Sequence, residues 1–122
     1  MERLAEDSLQ SARDAMSRGG WAEAFDLLAQ ADETGSLGPA DLESLGEAAW
    51  WSGRPELRVG ALERAHAAYV EAGDRRHGAR VAAILADQAF SRLSPSVAES
   101  WLKRGERLLE GEPEGVEHGY LA

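Results

Sequence analysis

Few residues in this chain have the type and spacing that acid–base, metal or nucleophilic chemistry needs. The three histidines, His66, His77 and His118, have no second histidine at a metal-ligand spacing, and the chain contains no cysteine. We therefore expect His66 to be a partly buried packing residue and His77 to be a surface group in a loop or first helical turn. No metal ion, cofactor or catalytic residue is predicted.

Nucleotide hydrolysis and calcium binding are disfavoured for similar reasons. A phosphate cradle combines a glycine-rich loop, the start of a helix and a lysine, and the single lysine, Lys103, stands in mid-helix far from any such loop. The acidic stretches at Asp32-Glu33 and from Glu110 to Glu117 lack the alternating oxygen ligands and glycine of a calcium-binding loop. The sequence predicts a protein that is not an enzyme.

Two adjacent tryptophans, Trp50 and Trp51, are the most informative candidates for binding. Neighbours on a helix point about 100° apart, so the two rings cannot both enter one core. In the first interpretation one ring faces a groove near Glu47 and Asp87, where it suits an apolar ligand that carries a cation, or a peptide with an apolar anchor and a basic residue. In the second, both rings bury into successive helical hairpins and the carboxylates are a solvated face.

The composition indicates one helical domain. Of 122 residues, 43% are hydrophobic, 29% are charged and only four are proline, while good helix formers are abundant. The net charge of -9 repels phosphate backbones, so we expect no direct nucleic-acid contact. No apolar run approaches the roughly 18 residues of a membrane span, and the first residues, MERLAEDSLQ, lack the regions of a secretion signal. A cytoplasmic location is expected.

The chain also repeats itself. The segments that begin at Met16, Trp50 and Phe90 align after shifts of 34 and then 40 residues. In this register a large apolar residue closes a first helix, and a turn follows at Gly19–Gly20, Gly53–Arg54 or Leu93–Ser94. Small residues recur on the first helix, and leucine followed by a small residue recurs on the second. The recurring sets are Ala12, Gly46 and Ala86; Ala15, Ala49 and Ala89; Leu28, Leu62 and Leu102; and Ala31, Ala65 and Gly105.

Proline, glycine and aspartate residues at helix boundaries predict six helices. Pro39, Pro55 and Pro95 mark first helical positions, Gly73 is expected to end a helix in the left-handed conformation, and Asp74 is expected to cap the next one. The extra residues of the longer shift are expected to extend a second helix from His66 to Ala72. The predicted helices are 2–18, 21–33, 39–52, 55–72, 75–92 and 95–110. They form units of about 2–36, 38–73 and 74–111, and 112–122 is a tail or the start of a further helix.

This pattern resembles the tetratricopeptide repeat. The segments RGGWAEAFDLLAQA, AAWWSGRPELRVGALERAHAAYVEAGDRRHGARVA and ESWLKRGERLLEGEPEGVEHGYLA resemble the helical-repeat regions of actinobacterial LuxR-type transcriptional regulators; similar repeats occur beside class III nucleotide cyclase domains. The resemblance implies an all-α, right-handed superhelical stack of about three antiparallel hairpins that senses or docks while a separate domain acts. Two departures are Arg58, which aligns with Ala24 and Ala98, and Leu93, which replaces the turn glycine.

In such a stack the first helices line a concave groove. Trp21 and Trp101 lie on second helices and are expected to pack within hairpins. The predicted groove residues are Leu9, Arg13, Met16, Ser17, Glu43, Glu47, Trp50, Trp51, Arg80, Ala83, Asp87, Phe90 and Ser91.

The sequence therefore predicts an interaction or ligand-sensing module of a larger bacterial transcriptional regulator. Its partner is expected to be a protein, a peptide or a small amphipathic ligand held in the groove. Two alternatives stay open: an assembly element that forms homo-oligomers through exposed repeat ends, and a regulatory region attached to a nucleotide cyclase.

Overall fold

The computed structural model describes residues 2–35, 37–92 and 94–110, with side chains from Asp7 onward. The described residues form helices without strands, so the all-α class is confirmed. No helix in this part of the chain is both long and apolar enough to cross a membrane. The helices are α1 (Glu2–Ser17), α2 (Trp21–Glu33), α3 (Pro39–Trp51), α4 (Pro55–Glu71), α5 (Arg75–Ser91) and α6 (Pro95–Leu109).

Every helix begins at its predicted residue because the start signals are local. Proline occupies the first position of α3, α4 and α6, where its fixed φ suits the helix and its missing N–H has no partner to lose. Gly73 has a φ of 77°, and the Asp74 carboxylate accepts a hydrogen bond from the His77 backbone N–H, so both cap predictions are confirmed. All helices except α2 end one residue earlier than predicted.

The turns inside the three aligned units close with the same backbone hydrogen bond. In each, an N–H donates to the carbonyl five residues earlier, at 2.7–2.9 Å, which satisfies a carbonyl that the helix end leaves free. Gly19 and Gly53, with φ of 77° and 85°, supply the left-handed residue in the first two turns. Leu93 lies outside the described residues. The donor and acceptor pairs are Gly20 and Ala15, Arg54 and Ala49, and Ser94 and Ala89.

The chain divides into two compact units, residues 1–64 and 65–122. In the first unit α2 packs against α1 and α3, around a core of alanine and leucine side chains that includes Leu28 and Leu45. The first part of α4 approaches α3 at Gly46, where an added Cβ would lie 3.4 Å from the Arg58 carbonyl oxygen and 3.4 Å from Leu62 Cγ. A small residue at this position therefore sets how closely the two helices can pack.

The second unit contains the remainder of α4 with α5 and α6. α5 and α6 pack against each other and bury Val81, Leu85 and Trp101, and Leu109 is also buried. Gly78 on α5 provides a close approach, because an added Cβ would lie 3.1 Å from Leu108 Cδ1. Trp101 is only 9% exposed, which confirms its predicted packing role.

The aligned small positions have the same environment within their own units. Ala12, Gly46 and Ala86 are all buried, as are Ala15, Ala49 and Ala89. On the second helices Ala31, Ala65 and Gly105 are buried, whereas Leu102 is half-buried and Leu28 and Leu62 are fully buried. The repeat register therefore describes the burial pattern, and the superhelical stack of hairpins stays a prediction.

The longer shift between the second and third units has a different origin from the one predicted. α4 extends four residues further than α2 in the aligned register, as expected for an extension beyond His66. However, α5 also begins four residues earlier than α3, and the α4–α5 connection is two residues shorter than the α2–α3 connection. The insertion is thus shared by two helices that face each other across a turn.

Candidate functional site

The candidate binding residues fall into two sets, one in each compact unit. Arg13, Met16, Glu43, Glu47, Trp50 and Trp51 belong to the first unit, and Arg80, Asp87 and Phe90 to the second. Each set is described by itself, and the concave groove that would join them stays a prediction. The first set contains the larger exposed aromatic surface.

Trp50 and Trp51 both lie at the protein surface, at 44% and 59% exposure. The buried face of α3 is formed by Leu42, Leu45, Gly46, Ala48 and Ala49. Because this face ends at Ala49, the last two residues of the helix are left outside the core. The hypothesis that both indoles bury between hairpins is therefore wrong.

Trp51 stacks against Trp21 of α2. The two ring centroids are 6.1 Å apart and the planes differ by 28°, within the offset-stacked range for aromatic pairs. Trp21, which is half-buried, also packs against the core of the first unit, so its predicted packing role is confirmed in part. One face of the Trp51 ring is covered by this partner, and the exposure of Trp51 leaves the rest of the ring open.

Trp50 has a different neighbour, a cation on the next helix. The Arg58 guanidinium carbon lies 4.9 Å from the centroid of the Trp50 ring. Arg58 occupies the register where Ala24 and Ala98 are completely buried. The arginine side chain is longer than the alanines at the aligned positions and extends over the Trp50 ring. The departure from the repeat pattern at Arg58 therefore adds a contact between α4 and the end of α3.

A second arginine covers a second ring close to the same turn. The Arg54 guanidinium carbon lies 4.4 Å from the Phe25 centroid, and its Nη1 donates to Ser52 Oγ at 3.2 Å. Phe25 packs partly against the core, so this ring is less available than either tryptophan of α3, and we leave it out of the candidate site. We call Trp21, Trp50 and Trp51 the aromatic surface.

The charges around the aromatic surface are mainly negative. Residues 1–64 contain 13 acidic and 6 basic residues, a net charge of -7, which leaves -2 for the remainder of the chain. Glu47 is exposed and lies three and four residues before Trp50 and Trp51, so it shares their side of α3. Its carboxylate has no ion-pair partner among the described residues, and this arrangement attracts a cation.

The other charged candidates of the first unit have structural partners. Arg13 on α1 donates to Asp41 on α3 at 3.3 Å, which joins the two first helices. Glu43 is half-buried and also has a polar or electrostatic partner. Met16 is half-buried against the core. These three residues therefore contribute less to an open binding surface than Glu47 does.

In the second unit the predicted residues are only partly available. Phe90 is 52% exposed and Asp87 is exposed one turn earlier, whereas Arg80 is half-buried. Ala83 was predicted to face the groove, and this is wrong: it is 7% exposed and lies in the buried face of α5. Because α5 buries a wide stripe of small residues, alanine at this position serves packing.

Histidine environments agree with the structural roles predicted for them. His66 is half-buried, with Nδ1 2.9 Å from the Gly78 carbonyl oxygen and its ring edge-on to Trp101 at 5.1 Å. His77 is exposed in the first turn of α5, with Nδ1 2.7 Å from Asp74 Oδ2. Burial raises the pKa of Asp74, but the contacts with His77 and the Arg80 charge outweigh it and hold that pKa below 3.8. No three potential ligands gather into a metal site within the described residues, and His118 lies outside them.

One nucleophile motif occurs on α6. Ser100 and Lys103 have Ser-x-x-Lys spacing, a pattern found in some serine acyl-transfer enzymes. Both residues are exposed, and Lys103 Nζ lies 3.8 Å from Glu99 Oε1 instead of contacting the Ser100 hydroxyl. Within the described part of the chain, Lys103 is therefore paired with a carboxylate and is not placed as a base for the Ser100 hydroxyl.

The ring contacts could not be read from residue spacing alone. Trp21 begins α2 and Trp51 ends α3, so their stacking requires that these two helix ends meet. A bidentate ion pair between Arg64 and Asp32, at 2.7 and 2.8 Å, was also not anticipated; it joins α4 to the end of α2 and lowers the pKa of Asp32. Comparison with protein-family models, with curated proteins and with solved structures found no match to this chain.

Proposed function

We propose that this protein is a non-catalytic interaction module that binds a cation-bearing apolar partner on its aromatic surface. The partner with the best fit is a peptide segment that carries an apolar anchor and a basic residue; a small amphipathic cation offers the same chemistry. The observation that carries the proposal is the exposure of two adjacent indoles, at 44% and 59%, on a helix whose core face is already complete.

The buried face that α3 contributes to the core of the first unit includes neither tryptophan. The close contacts of α3 are made by glycine, alanine and leucine, which end at Ala49. Large exposed aromatic side chains are enriched at binding hot spots because they bury much area with little loss of conformational freedom. The stacked pair of Trp51 and Trp21 provides a rigid apolar platform for the anchor of a peptide.

The charge of the first unit supports a cationic partner. Glu47 shares the side of α3 that carries both indoles and has no ion-pair partner among the described residues, and the unit carries a net charge of -7. A guanidinium or ammonium group placed there gains from the carboxylate and from the negative face of an indole. The same charge disfavours phosphate backbones, so a nucleic acid is a poor candidate for this surface.

The biological setting is proposed from the sequence resemblance. We infer a cytoplasmic, bacterial setting in which this module belongs to a larger LuxR-type transcriptional regulator and signals to a separate domain. A nucleotide cyclase is the alternative for that domain. The gene that encodes the chain tests the point, because a helix-turn-helix domain encoded downstream supports a regulator and a cyclase domain supports the alternative.

A pair of peptides tests the binding proposal. The probes are acetyl-Leu-Leu-Arg-amide and the same peptide with citrulline, a neutral isostere of arginine. Titrations followed by the indole N–H resonances should show tighter binding of the arginine peptide by roughly two- to five-fold, as expected for an exposed cation–π contact. Equal affinity for the two peptides, or no binding of either, overturns the proposal.

Variants locate the surface. Trp51→Ala should weaken the arginine peptide by about ten-fold, the effect typical of a hot-spot aromatic residue, and Glu47→Gln should weaken it by a few-fold. Val97→Ala, which truncates a side chain of 50% exposure on α6, and Glu63→Gln are the matched controls and should bind like the parent. Phe90→Ala tests the wider groove: a loss there extends the site to the second unit, and no loss confines it to the first.

Assembly is a second candidate function, favoured by exposed apolar side chains in the second unit. Phe90 and Val97 are 52% and 50% exposed and lie on α5 and α6. Exposed apolar residues of this kind can pair copies of a helical-repeat protein. Sedimentation velocity should then show a dimer that Phe90→Ser dissociates; a monomer over the whole soluble concentration range removes this candidate.

A further inference from the structure

We infer that Arg58 is a built-in competitor for the cation site: its guanidinium covers Trp50 and must be displaced before a partner's cation can use that ring. This inference rests on the proposed function and adds a residue that sets affinity. The observation behind it is the position of the Arg58 guanidinium carbon, 4.9 Å from the Trp50 centroid.

The repeat register shows that this position does not require an arginine. The aligned residues Ala24 and Ala98 are fully buried second-helix alanines. Arg58 is instead half-buried. A long charged side chain at a buried position keeps its apolar stem against the protein and extends its charged end to the surface, which here lies over the exposed Trp50 ring. The charge therefore lies over a ring that is one helical turn after Glu47 on α3.

The two tryptophans of α3 consequently have different availability. Trp51 is covered on one side by another indole, which a ligand can extend by stacking. Trp50 is covered by a guanidinium, which occupies the electrostatic site that a partner's arginine or lysine would take. We assign the apolar anchor of the partner to Trp51 and its cation to Trp50 with Glu47.

This competition predicts an increase in affinity when the internal cation is removed. An exposed contact of this kind favours the covered ring by roughly two- to five-fold. The ring is then open in only about one third to one sixth of the molecules, and the apparent affinity for the partner's cation is lowered by the same factor. Removing the internal cation should therefore raise the apparent affinity roughly three- to six-fold.

The decisive variant is Arg58→Met, which keeps an unbranched apolar stem of similar length and removes the charge. Its control is Arg54→Met, four residues earlier in the chain and in the turn before α4, which removes the same charge from Phe25. Both variants change the net charge of the unit equally. Only Arg58→Met uncovers Trp50. A gain in affinity from the changed net charge should therefore appear in both variants, whereas a gain from freeing the ring should appear only in Arg58→Met.

Acetyl-Leu-Leu-Arg-amide and its citrulline counterpart are the probes. Arg58→Met should bind the arginine peptide three- to six-fold more tightly than the parent, Arg54→Met should bind within two-fold of the parent, and the gain should be absent in Trp50→Ala/Arg58→Met. The indole N–H resonance of Trp50 should also move in Arg58→Met without ligand.

Two outcomes overturn the inference and leave the proposed function standing. One is an equal gain in affinity in both single variants, and the other is unchanged or weaker binding by Arg58→Met while the parent binds. Failure of every protein to prefer the arginine peptide overturns the proposed function itself.

Discussion

Replacing three helix glycines by alanine should measure how closely the helices approach. Gly60 on α4, Gly46 on α3 and Gly78 on α5 lie inside helices, where glycine costs about 1 kcal/mol relative to alanine. They differ in the space around the missing Cβ. Nothing lies within 4 Å at Gly60, the nearest atoms lie at 3.4 Å at Gly46, and Leu108 Cδ1 lies at 3.1 Å at Gly78.

The expected magnitudes follow from these distances. Gly60→Ala should raise the free energy of unfolding by about 1 kcal/mol, because only the conformational term changes. Gly46→Ala should raise it by about 0.5–1 kcal/mol, since contact at 3.4 Å is ordinary and the aligned Ala12 and Ala86 are already buried alanines. At Gly78 the Leu108 methyl group must move by a few tenths of an ångström, so the gain and the cost should nearly cancel.

Urea denaturation followed by circular dichroism and tryptophan fluorescence provides the free energies. Gly46→Val serves as the overpacked comparison and should lower stability by about 1–3 kcal/mol, because its γ carbons meet the Arg58 carbonyl and Leu62. The rank order is Gly60→Ala, Gly46→Ala, Gly78→Ala, then Gly46→Val. If Gly46→Ala destabilised the protein while Gly60→Ala stabilised it, the explanation of the small-residue register by alanine-sized contacts would be wrong.

Three further changes probe the ion pair, the core and a turn. Hydrogen bonds from Arg64 hold the pKa of Asp32 below its ordinary 3.8, so this carboxylate stabilises the fold fully above roughly pH 5 and progressively less as the pH falls through the folded-state pKa. Asp32→Asn should therefore cost about 0.5–1 kcal/mol at neutral pH and less in acid, and an equal cost in urea titrations at both pH values would contradict this. Trp101→Ala should cost about 3–5 kcal/mol and Trp101→Phe clearly less, because the ring is buried beside His66; equal thermal unfolding of the two variants would argue against a packing role. Gly73→Ala should cost about 1–2 kcal/mol at a φ of 77°, and unchanged thermal stability would show that the turn can close otherwise.

The helices could be predicted closely because their boundary signals are local. Proline at a first helical position and glycine at a left-handed position act through their own backbone geometry. The early helix ends show the limit of this approach. The residues after α3 and α5, Ser52 and Arg92, still donate to carbonyls of their helices, but with ψ of 7° and 12° they have left the helical region.

The site could be predicted less completely because its contacts join residues that are distant in sequence. Helical geometry predicts only that the two adjacent rings point in different directions; it left open whether one ring faces a groove or both are buried, and the structure exposes both. That Trp51 meets Trp21 depends on which helix ends come together, and spacing does not contain that information. Arg58 was recognised as a departure from the repeat, yet the direction in which its side chain leaves the helix depends on the neighbouring ring.

Arg54 combines two roles that use different parts of one residue. Its backbone N–H closes the α3–α4 turn on the Ala49 carbonyl, while its guanidinium rests on Phe25. Since any residue except proline can supply that N–H, the identity of the side chain is not constrained by closure of the turn. Glycine, arginine and serine at the aligned positions illustrate this freedom. The side chains at these three turn positions can therefore be substituted, in evolution or by design, without loss of the hydrogen bond that closes each turn.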